Sequence, residues 1–349
     1  MTCIGDTGKM AKTGRRTTIK EVAERAGVTI GTVSHVINGT APISPETTQR
    51  VREAVRELDY KPNPMARYMR SKKSRMIGLM IPNLNNSFHS QVASTFMESA
   101  DADGYTVLIL GYEYSTEREK KELESLVQNN VDAVVVVNGH DDEAAIGMLG
   151  RQGVSVILAD RRIEGCHIPY IQYDNRRIMN QVVSMLKEKG YRSIGFISEK
   201  LDLTNLQDRF EGYKEALDTY GYEFRQEHVF ISEKLCLDNM RAGYQFTIDL
   251  LRNYKKEELP EAFLASSDLL AIGMLRAFSE AGYQVPGDFG VVGYDNLPIA
   301  GFVQPRLTTV NQDRELLGKE LWRMTRAKIE DGTVVNVTLQ QELIIRESC

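Results

Sequence analysis

From residue 76 onward, short apolar runs alternate with amphipathic stretches of helical length. The runs are Ile77–Ile81, Thr106–Leu110, Ala133–Val137, Val156–Ala159, Ile194–Ile197, Ala262–Ala265 and Val291–Tyr294. The helical stretches between them are Phe88–Asp103, Glu117–Gln128, Ile178–Lys189, Arg209–Tyr220, Arg241–Leu251, Leu269–Ala281 and Glu315–Glu330. Such alternation predicts parallel sheets covered by helices on both faces. About a dozen elements suit two sheets better than one, so we predict a two-lobed α/β body.

Helix signals of a different kind precede this body. Thr18-Ile-Lys-Glu21 is a capping box, in which each side chain bonds the other residue's backbone N–H, so a helix begins there. Ser44 is a good N-cap and Pro45 suits the first position of a later helix. Apolar residues at i, i+3, i+4 and i+7 of that later helix are Val51, Ala54, Val55 and Leu58. They predict a small all-α head closed by a third helix.

The spacing within the first two helices predicts a helix-turn-helix. Ala23 allows a second helix to cross closely, Gly27 permits a left-handed turn, and Val33 follows six residues later. In that motif the second helix lies in the major groove of DNA. The residues predicted to face DNA are Thr18, Thr29, Ile30, Gly31, Thr32, Ser34, His35 and Asn38. A helix hairpin with no role on DNA is the alternative that the spacing leaves open.

The charge distribution favours a polyanion partner for the head alone. Residues 1–75 hold 15 Lys and Arg against seven Asp and Glu, a net charge of +8, whereas the remaining chain carries −13. A basic head attracts DNA phosphates and an acidic body is repelled by them. Double-stranded DNA is therefore the expected partner of the head, although an ordinary basic surface would give the same count.

The motifs of the head resemble those of the lactose-repressor/galactose-repressor family of bacterial transcription regulators. The similar segments are Thr18-Ile-Lys-Glu-Val-Ala-Glu-Arg-Ala-Gly-Val28, Thr32-Val-Ser34, Val36-Ile-Asn-Gly39, Leu58-Asp-Tyr60, Pro62-Asn-Pro-Met-Ala-Arg67 and Ser74-Arg-Met-Ile-Gly-Leu79. The resemblance implies a disordered tail at 1–17, a DNA-binding domain at 18–62, a hinge helix and linker at 63–75, and a ligand-binding and dimerisation domain at 76–349. It covers essentially the whole chain after residue 17.

In that family the hinge pairs with its twin on DNA and inserts a side chain into the minor groove. The resemblance implies this role for Met69, with Arg67 and Arg70 beside the phosphates. Two departures from the family's motif leave the operator sequence open. His35 stands where the family usually has an arginine that reads guanine, and Gly31 replaces a longer base-reading residue.

The body resembles sugar-binding proteins of bacterial transport as well as this family, and the implied fold is periplasmic-binding-protein-like. The chain then crosses between the lobes three times. The boundaries implied are about 76–172 plus 305–333 for lobe one and about 173–304 plus 334–349 for lobe two. Ligands in such sheets bind at the carboxyl ends of the strands.

Polar residues just after the predicted strands are the candidate ligand contacts. They are Ser87, Phe88, Asp160, Asn205, Arg209, Asp268 and Asp295. An aromatic ring stacks on the apolar face of a sugar, a carboxylate accepts hydroxyl protons, and a guanidinium donates a fork of N–H groups. Each aspartate could instead cap the following segment, and Arg209 could be a surface charge of a helix. For Asp268 the cap or an inter-lobe contact is as good an interpretation as ligand binding.

The sequence shows no pattern typical of metal binding, catalysis or a membrane span. Four cysteines and five histidines show no metal-ligand spacing, so no metal or cofactor is predicted. No dinucleotide-binding, phosphate-loop or catalytic-triad frame is present, so an enzyme is not expected. No apolar run approaches a membrane span, and no signal peptide opens the chain. We expect a cytoplasmic protein; Met10 is an alternative start.

These observations predict a sequence-specific DNA-binding transcription regulator, most simply a repressor. Its operator affinity would be controlled by a small sugar-like effector, a carbohydrate or nucleoside, bound between two lobes. A homodimer on a pseudo-palindromic operator is expected, with the Phe88–Asp103 and Glu117–Gln128 helices near the dimer contact. The resemblance also allows a phosphorylated co-regulator protein. The alternative function is a sugar-binding protein of a transport system, which the basic head and missing signal sequence disfavour.

Overall fold

The computed structural model describes residues 17–61, 73–139, 143–235 and 240–349, with the side chains of 143–145 also left out. The chain divides into two compact units, residues 1–74 and 75–349. The predicted N-terminal tail lies outside the described residues except for Thr17, and so does most of the hinge.

The first unit contains three described helices around a small apolar core. They are α1 (Ile19–Ala26), α2 (Ile30–Asn38) and α3 (Pro45–Glu57). The Thr18–Glu21 capping box begins α1, and left-handed Gly27 ends it, as the sequence predicts. The buried side chains that hold the three helices together are Val22, Ala23, Ala26, Val33, Val51 and Ala54. The expected all-α head is confirmed.

Lobe one of the second unit is built on a parallel sheet with the order β11-β5-β4-β3-β1-β2. Its strands are β1 (Met76–Ile81), β2 (Thr106–Gly111), β3 (Ala133–Val137), β4 (Ser155–Ala159), β5 (Tyr170–Tyr173) and β11 (Val337–Leu339). Its helices are α4 (Ser87–Ala102), α5 (Thr116–Gln128), α6 (Glu143–Arg151) and α11 (Arg314–Asp331).

Both faces of this sheet are covered, because alternate side chains of a strand point to opposite sides. In β3, Val135 and Val137 join the core under α4 and α11. Val134 and Val136 join the core under α5 and α6. The continuous apolar run of β3 is therefore the expected signature of a strand buried on two faces.

Lobe two repeats the arrangement with the order β12-β10-β9-β8-β6-β7. Its strands are β6 (Ile194–Ser198), β7 (Val229–Ile231), β8 (Ala262–Ala265), β9 (Gly290–Asp295), β10 (Thr308–Asn311) and β12 (Glu342–Ile344). Its helices are α7 (Asn175–Glu188), α8 (Thr204–Thr219), α9 (Met240–Asn253) and α10 (Asp268–Glu280). The pairings in this sheet are parallel except β10 with β12.

The chain crosses between the lobes three times, but two predicted boundaries are wrong. β10, placed in lobe one from the sequence, pairs with β9 of lobe two, and β11, placed in lobe two, pairs with β5 of lobe one. β10 escaped notice because its Thr308 and Thr309 are polar, yet both are fully buried. Thr309 Oγ1 donates to Asp268, and Thr308 accepts from the Arg346 backbone, so their hydroxyls are satisfied inside the lobe.

Candidate DNA-reading surface and effector site

The second helix of the head presents the predicted reading residues on its open side. Thr29 caps α2 by accepting from the Thr32 N–H, and its hydroxyl lies 3.0 Å from that of Thr32. Val33 is fully buried beneath the helix, whereas Ile30 is 48 % exposed at its start. An exposed isoleucine at this end of a recognition helix can contact a thymine methyl group. Gly31 beside it is also exposed.

Two further polar residues of α2 are held by neighbours. His35 Nδ1 lies 2.9 Å from Thr40 Oγ1, which fixes the plane of the exposed imidazole. Asn38 donates to the Ser34 carbonyl at 2.7 Å, so its amide caps the end of the helix. Thr18 is the N-cap of α1 and its hydroxyl bonds Glu21, which gives it a structural role besides any phosphate contact. The hinge residues Arg67, Met69 and Arg70 lie outside the described residues.

In the body, polar side chains from the two lobes meet at the boundary between the lobes, a region we call the cleft. Asp160 follows β4 of lobe one and accepts from Asn205 Nδ2 of lobe two at 2.8 Å. Arg209 Nη2 lies 3.9 Å from the same carboxylate oxygen. Asn205 Nδ2 also reaches Asn138 Oδ1, after β3, at 3.2 Å. Asp160 is 1 % exposed, and its Oδ1 has no hydrogen-bond partner among the described residues.

Three contacts hold the Arg209 guanidinium in one orientation. The sequence predicts that it opens a helix, but α8 begins at Thr204, so Arg209 projects from its second turn. Its guanidinium stacks 3.7 Å above the Tyr294 ring, and Nε donates to Asn175 Oδ1 at 3.2 Å. Nη1 donates to the Ser266 carbonyl at 3.3 Å. Stacking and hydrogen bonding together fix the plane of the fork.

Asp295, at the end of β9, faces the same group. It accepts from Gln312 Nε2 at 2.8 Å, and burial raises its pKa to about 7 while Arg209 opposes the shift. Burial likewise raises the pKa of Asp160, against the pull of Arg209. Both residues have positive φ, 53° for Asp160 and 106° for Asp295, and Asn138 has φ 50°. Left-handed non-glycine residues are strained, and such strain concentrates at functional sites.

The remaining predicted contacts form no hydrogen bond to these residues, although Asp268 is close enough to Asp295 for the two carboxylates to repel each other. Ser87 is exposed at the start of α4, and Phe88 is 3 % exposed within the core of lobe one. Asp268 is fully buried and both its oxygens are engaged, by the Leu297 N–H and the Thr309 hydroxyl, each at 2.6 Å. We therefore do not propose Asp268 as a ligand contact. It ties the start of α10 to strand β10 and to the loop after β9.

Sequence reasoning missed several residues that surround the site. Glu199 follows β6 directly, as Asp160 follows β4, so the same strand-end rule would have found it. Gln312 and Asn175 follow β10 and β5, which were not predicted as strands. Arg162 forms a two-pronged ion pair with Asp208, with Nη2 donating to Oδ1 at 3.2 Å, and so joins lobe one to α8 of lobe two.

Within the described part of the chain, no cluster of three or more metal-ligating side chains occurs. No helix in that part is long and apolar enough to span a membrane.

A helix-turn-helix head joined to a two-lobed body with a polar cleft defines a class of DNA-binding regulators that sense small molecules. Comparison with known families agrees: residues 18–63 match the family described as bacterial regulatory proteins, lacI family, and residues 183–349 match a periplasmic binding protein-like domain. The ribose operon repressor of Halalkalibacterium halodurans is 30 % identical over 334 residues, 95 % of this chain and 97 % of the relative.

Solved structures show the same likeness. The Lac repressor dimer bound to operator and the anti-inducer ONPF has a TM-score of 0.83 and 26 % identity, with 96 % of this chain and 99 % of that chain covered. The transcriptional regulator CelR–cellobiose complex has a TM-score of 0.71 and 29 % identity, with 96 % and 100 % covered. The chain belongs to the lacI family of bacterial regulatory proteins: it is a DNA-binding transcription regulator and not an enzyme.

Proposed function

We propose that this regulator is a repressor whose operator affinity is controlled by a small polyhydroxylated effector, a sugar or a nucleoside, bound between the lobes. Asp160 carries the proposal. It contacts Asn205 and approaches Arg209 of the other lobe, and it keeps one buried oxygen without a partner among the described residues. A buried acceptor without a donor is costly, so a ligand hydroxyl at that oxygen is favoured. The names of the ribose operon repressor and the CelR–cellobiose complex support a carbohydrate.

The cleft links effector binding to DNA binding by changing how the lobes are held together. An effector that bonds Asp160 on one lobe and Arg209 on the other favours one arrangement of the lobes over the other. Such differential binding typically supplies about 1–3 kcal/mol of coupling between two sites. The effector would thereby change the fraction of molecules whose heads can bind operator.

On the DNA side, we propose a homodimer that places one α2 helix on each half of a pseudo-palindromic operator. The dimeric, operator-bound state of the similar Lac repressor structure supports this. Arg67, Met69 and Arg70 are proposed to contact the minor groove and its phosphates. Such a regulator acts in the cytoplasm, where operator DNA lies. Sedimentation of the purified chain with and without DNA tests the dimer, and a monomer under both conditions would refute it.

A thermal-shift panel of monosaccharides, disaccharides and nucleosides tests the effector. A ligand at 100 times its Kd adds about 2.7 kcal/mol of stability, which a raised melting temperature reveals. Arg209→Ala should abolish the shift. Arg225→Ala should retain it, because Arg225 is an exposed arginine that bonds Glu223 in a surface loop. If no sugar or nucleoside raises the melting temperature, the effector proposal fails, and a phosphorylated co-regulator protein becomes the partner to test.

A further inference from the structure

Glu199 is a carboxyl group of the cleft that is not among the ligand contacts predicted from the sequence. It lies one residue beyond β6, beside the strand ends that carry Ser266 and Asp295. Its Oε2 accepts from the Ser266 hydroxyl at 2.9 Å. Its Oε1 is shielded from solvent and has no partner among the described residues. One oxygen is therefore positioned by the protein and the other is available to a ligand.

Two more acceptors of the same region share this property. Asp160 Oδ1 and Gln312 Oε1 are shielded from solvent and accept no hydrogen bond from the described residues. Each of the two residues is only 1 % exposed. The second atom of each side chain is engaged, by Asn205 for Asp160 and by Asp295 for Gln312. Together with Glu199, the cleft offers three fixed acceptors, so it favours a ligand rich in hydrogen-bond donors.

The charges around these acceptors do not balance. Asp160, Glu199 and Asp295 all interact with the Arg209 guanidinium, and Arg314 is a second cation near Asp295. Arg314 directs Nη1 to the backbone carbonyls of Asp295 and Asn296. Asp268 repels Asp295 and has Arg346 nearby, so the region holds four carboxyl groups and three guanidinium groups, an excess of one negative charge when all are ionised. Burying an unmatched charge is unfavourable, so one cationic donor on the ligand would complete the site.

We propose that the effector is a hydroxylated amine, such as an amino sugar, and that Glu199 is the residue that binds its ammonium group. This inference rests on the proposed function, since it specifies the effector of the same cleft. An ammonium group donates up to three hydrogen bonds and carries the missing charge, whereas a neutral hydroxyl donates one. Burial raises the pKa of Glu199 to about 8, which indicates an acid that lacks a cation close enough to hold it ionised.

Matched pairs of sugars test the inference. Calorimetry at about pH 6.5 compares glucosamine with glucose and galactosamine with galactose. At this pH a primary amine is cationic and Glu199 holds a proton in the ligand-free chain, so binding of the ammonium form should release that proton. N-acetylglucosamine keeps the N–H but loses the charge. For the wild-type chain we expect at least one amino sugar to bind about tenfold or more tightly than its neutral and acetylated partners, the gain typical of a charged hydrogen bond.

The variants assign that preference to one side chain. Glu199→Gln should reduce the preference to about twofold or less, and Glu199→Asp, which keeps the charge, should retain part of it. Glu223→Gln, an exposed carboxyl that pairs with Arg225, is the matched control and should keep the full preference. Melting curves of each variant show that it is folded. A preference that survives Glu199→Gln in folded protein would overturn the assignment.

The outcome also separates this inference from the proposed function. Tight binding of neutral sugars with no gain for their amino forms overturns the inference and leaves a sugar-controlled regulator standing. No binding by any sugar or nucleoside overturns both.

Discussion

At the scale of single residues, the effector site depends on acids kept in surroundings that disfavour their charge. Glu199 and Asp295 have pKa values raised by burial to about 8 and about 7. Each therefore binds a proton in the folded chain at pH values where the unfolded chain has released it. Acids whose pKa is shifted in this way are often found at functional sites, although burial also raises the pKa of the structural Asp268.

The raised pKa values predict that the ligand-free body loses stability as pH rises. Between about pH 6.5 and 8.5 the folded state holds more protons than the unfolded state, so the free energy of unfolding falls with pH. For Glu199 the loss is about 2 kcal/mol over this window. His89, whose pKa burial lowers to about 4, has the opposite effect, which is complete by about pH 7.5. Urea unfolding at several pH values should show that the free energy of unfolding declines with pH in the wild type and changes less in Glu199→Gln. Equal pH profiles for the two proteins would contradict a buried Glu199 with a raised pKa.

His35 is expected to contribute sequence specificity rather than general affinity. His35→Ala should weaken operator binding by about 1–3 kcal/mol, the value of a good base contact, with little effect on random DNA. Thr40→Ala keeps the imidazole but removes the 2.9 Å hydrogen bond that fixes its plane, so it should weaken operator binding less than His35→Ala does. Fluorescence anisotropy on both DNAs measures this. Equal losses on operator and random DNA would remove His35 from base reading.

A residue of the candidate site could be predicted from the sequence only where the strand or loop before it was recognised. Asp160, Arg209 and Asp295 were singled out because each follows a clear apolar run or loop. Asp268 was singled out by the same rule, yet its oxygens are engaged within lobe two. A carboxylate after a strand has the same local pattern in both roles. The difference lies in partners such as Thr309, 41 residues away, which local pattern cannot show.

At the scale of elements, two glycines set the distance between α9 and α10. A Cβ added at Gly273 would lie 2.1 Å from the Met240 carbonyl oxygen, and one at Gly243 would lie 2.3 Å from that of Leu270. Backbone this close cannot move aside without separating the helices. The crossing therefore requires glycine at both positions, independently of any turn conformation.

Gly273→Ala is expected to destabilise the body by about 1–3 kcal/mol, the usual cost of overpacking. Gly150→Ala is the matched control, because a Cβ at this exposed helical position meets no atom within 4 Å. It should leave stability unchanged or raise it by up to about 1 kcal/mol. Urea unfolding of both variants measures the difference. Equal stabilities would mean that the helices tolerate a wider crossing.

The loop after β4 and helix α8 form a second link between the lobes, beside the effector residues. Arg162 lies two residues after Asp160, and Asp208 immediately precedes Arg209. Their ion pair is partly buried, with side chains 26 % and 14 % exposed, and Arg162 also shares hydrogen bonds with Thr204. We expect this pair to stabilise the lobe arrangement in which Asp160 meets Arg209.

Arg162→Ala should therefore lower effector affinity by about fivefold to tenfold, equivalent to about 1 kcal/mol. Arg176→Ala is the control: Arg176 lies 3.6 Å from the same Asp208 but belongs to lobe two, so its loss should leave the link between lobes intact. Calorimetry with the effector found in the panel gives both values. If the two variants lose affinity equally, the inter-lobe ion pair has no special role.

Element type was largely predictable, because a strand buried on both faces and an amphipathic helix leave different patterns. β3 and β8 were predicted with their observed bounds. The missed strands β5, β7, β10 and β11 have three or four residues each, with polar or aromatic side chains among them. Their pairing is decided by neighbours elsewhere in the chain, and this is also why the lobe boundaries at β10 and β11 were placed wrongly.

Across the whole chain, two regions of opposite net charge serve the two functions. The basic N-terminal 75 residues favour DNA, and the acidic remainder, at −13, does not. The fold and the family can be predicted from motifs in the sequence. The chemistry of the effector cannot, because it depends on acceptors such as Glu199 Oε1 that only the folded chain brings together.

Effector control of DNA binding is tested by the operator affinity of the full chain, measured with and without the effector. Operator DNA is first selected by the protein from a random library, and anisotropy titrations then give Kd. We predict that saturating effector changes the operator Kd by about 5–150-fold in wild type. Arg209→Ala should keep the ligand-free Kd and lose the change. An unchanged operator Kd in wild type, with calorimetry showing the effector bound, would contradict the claim that the cleft controls DNA binding.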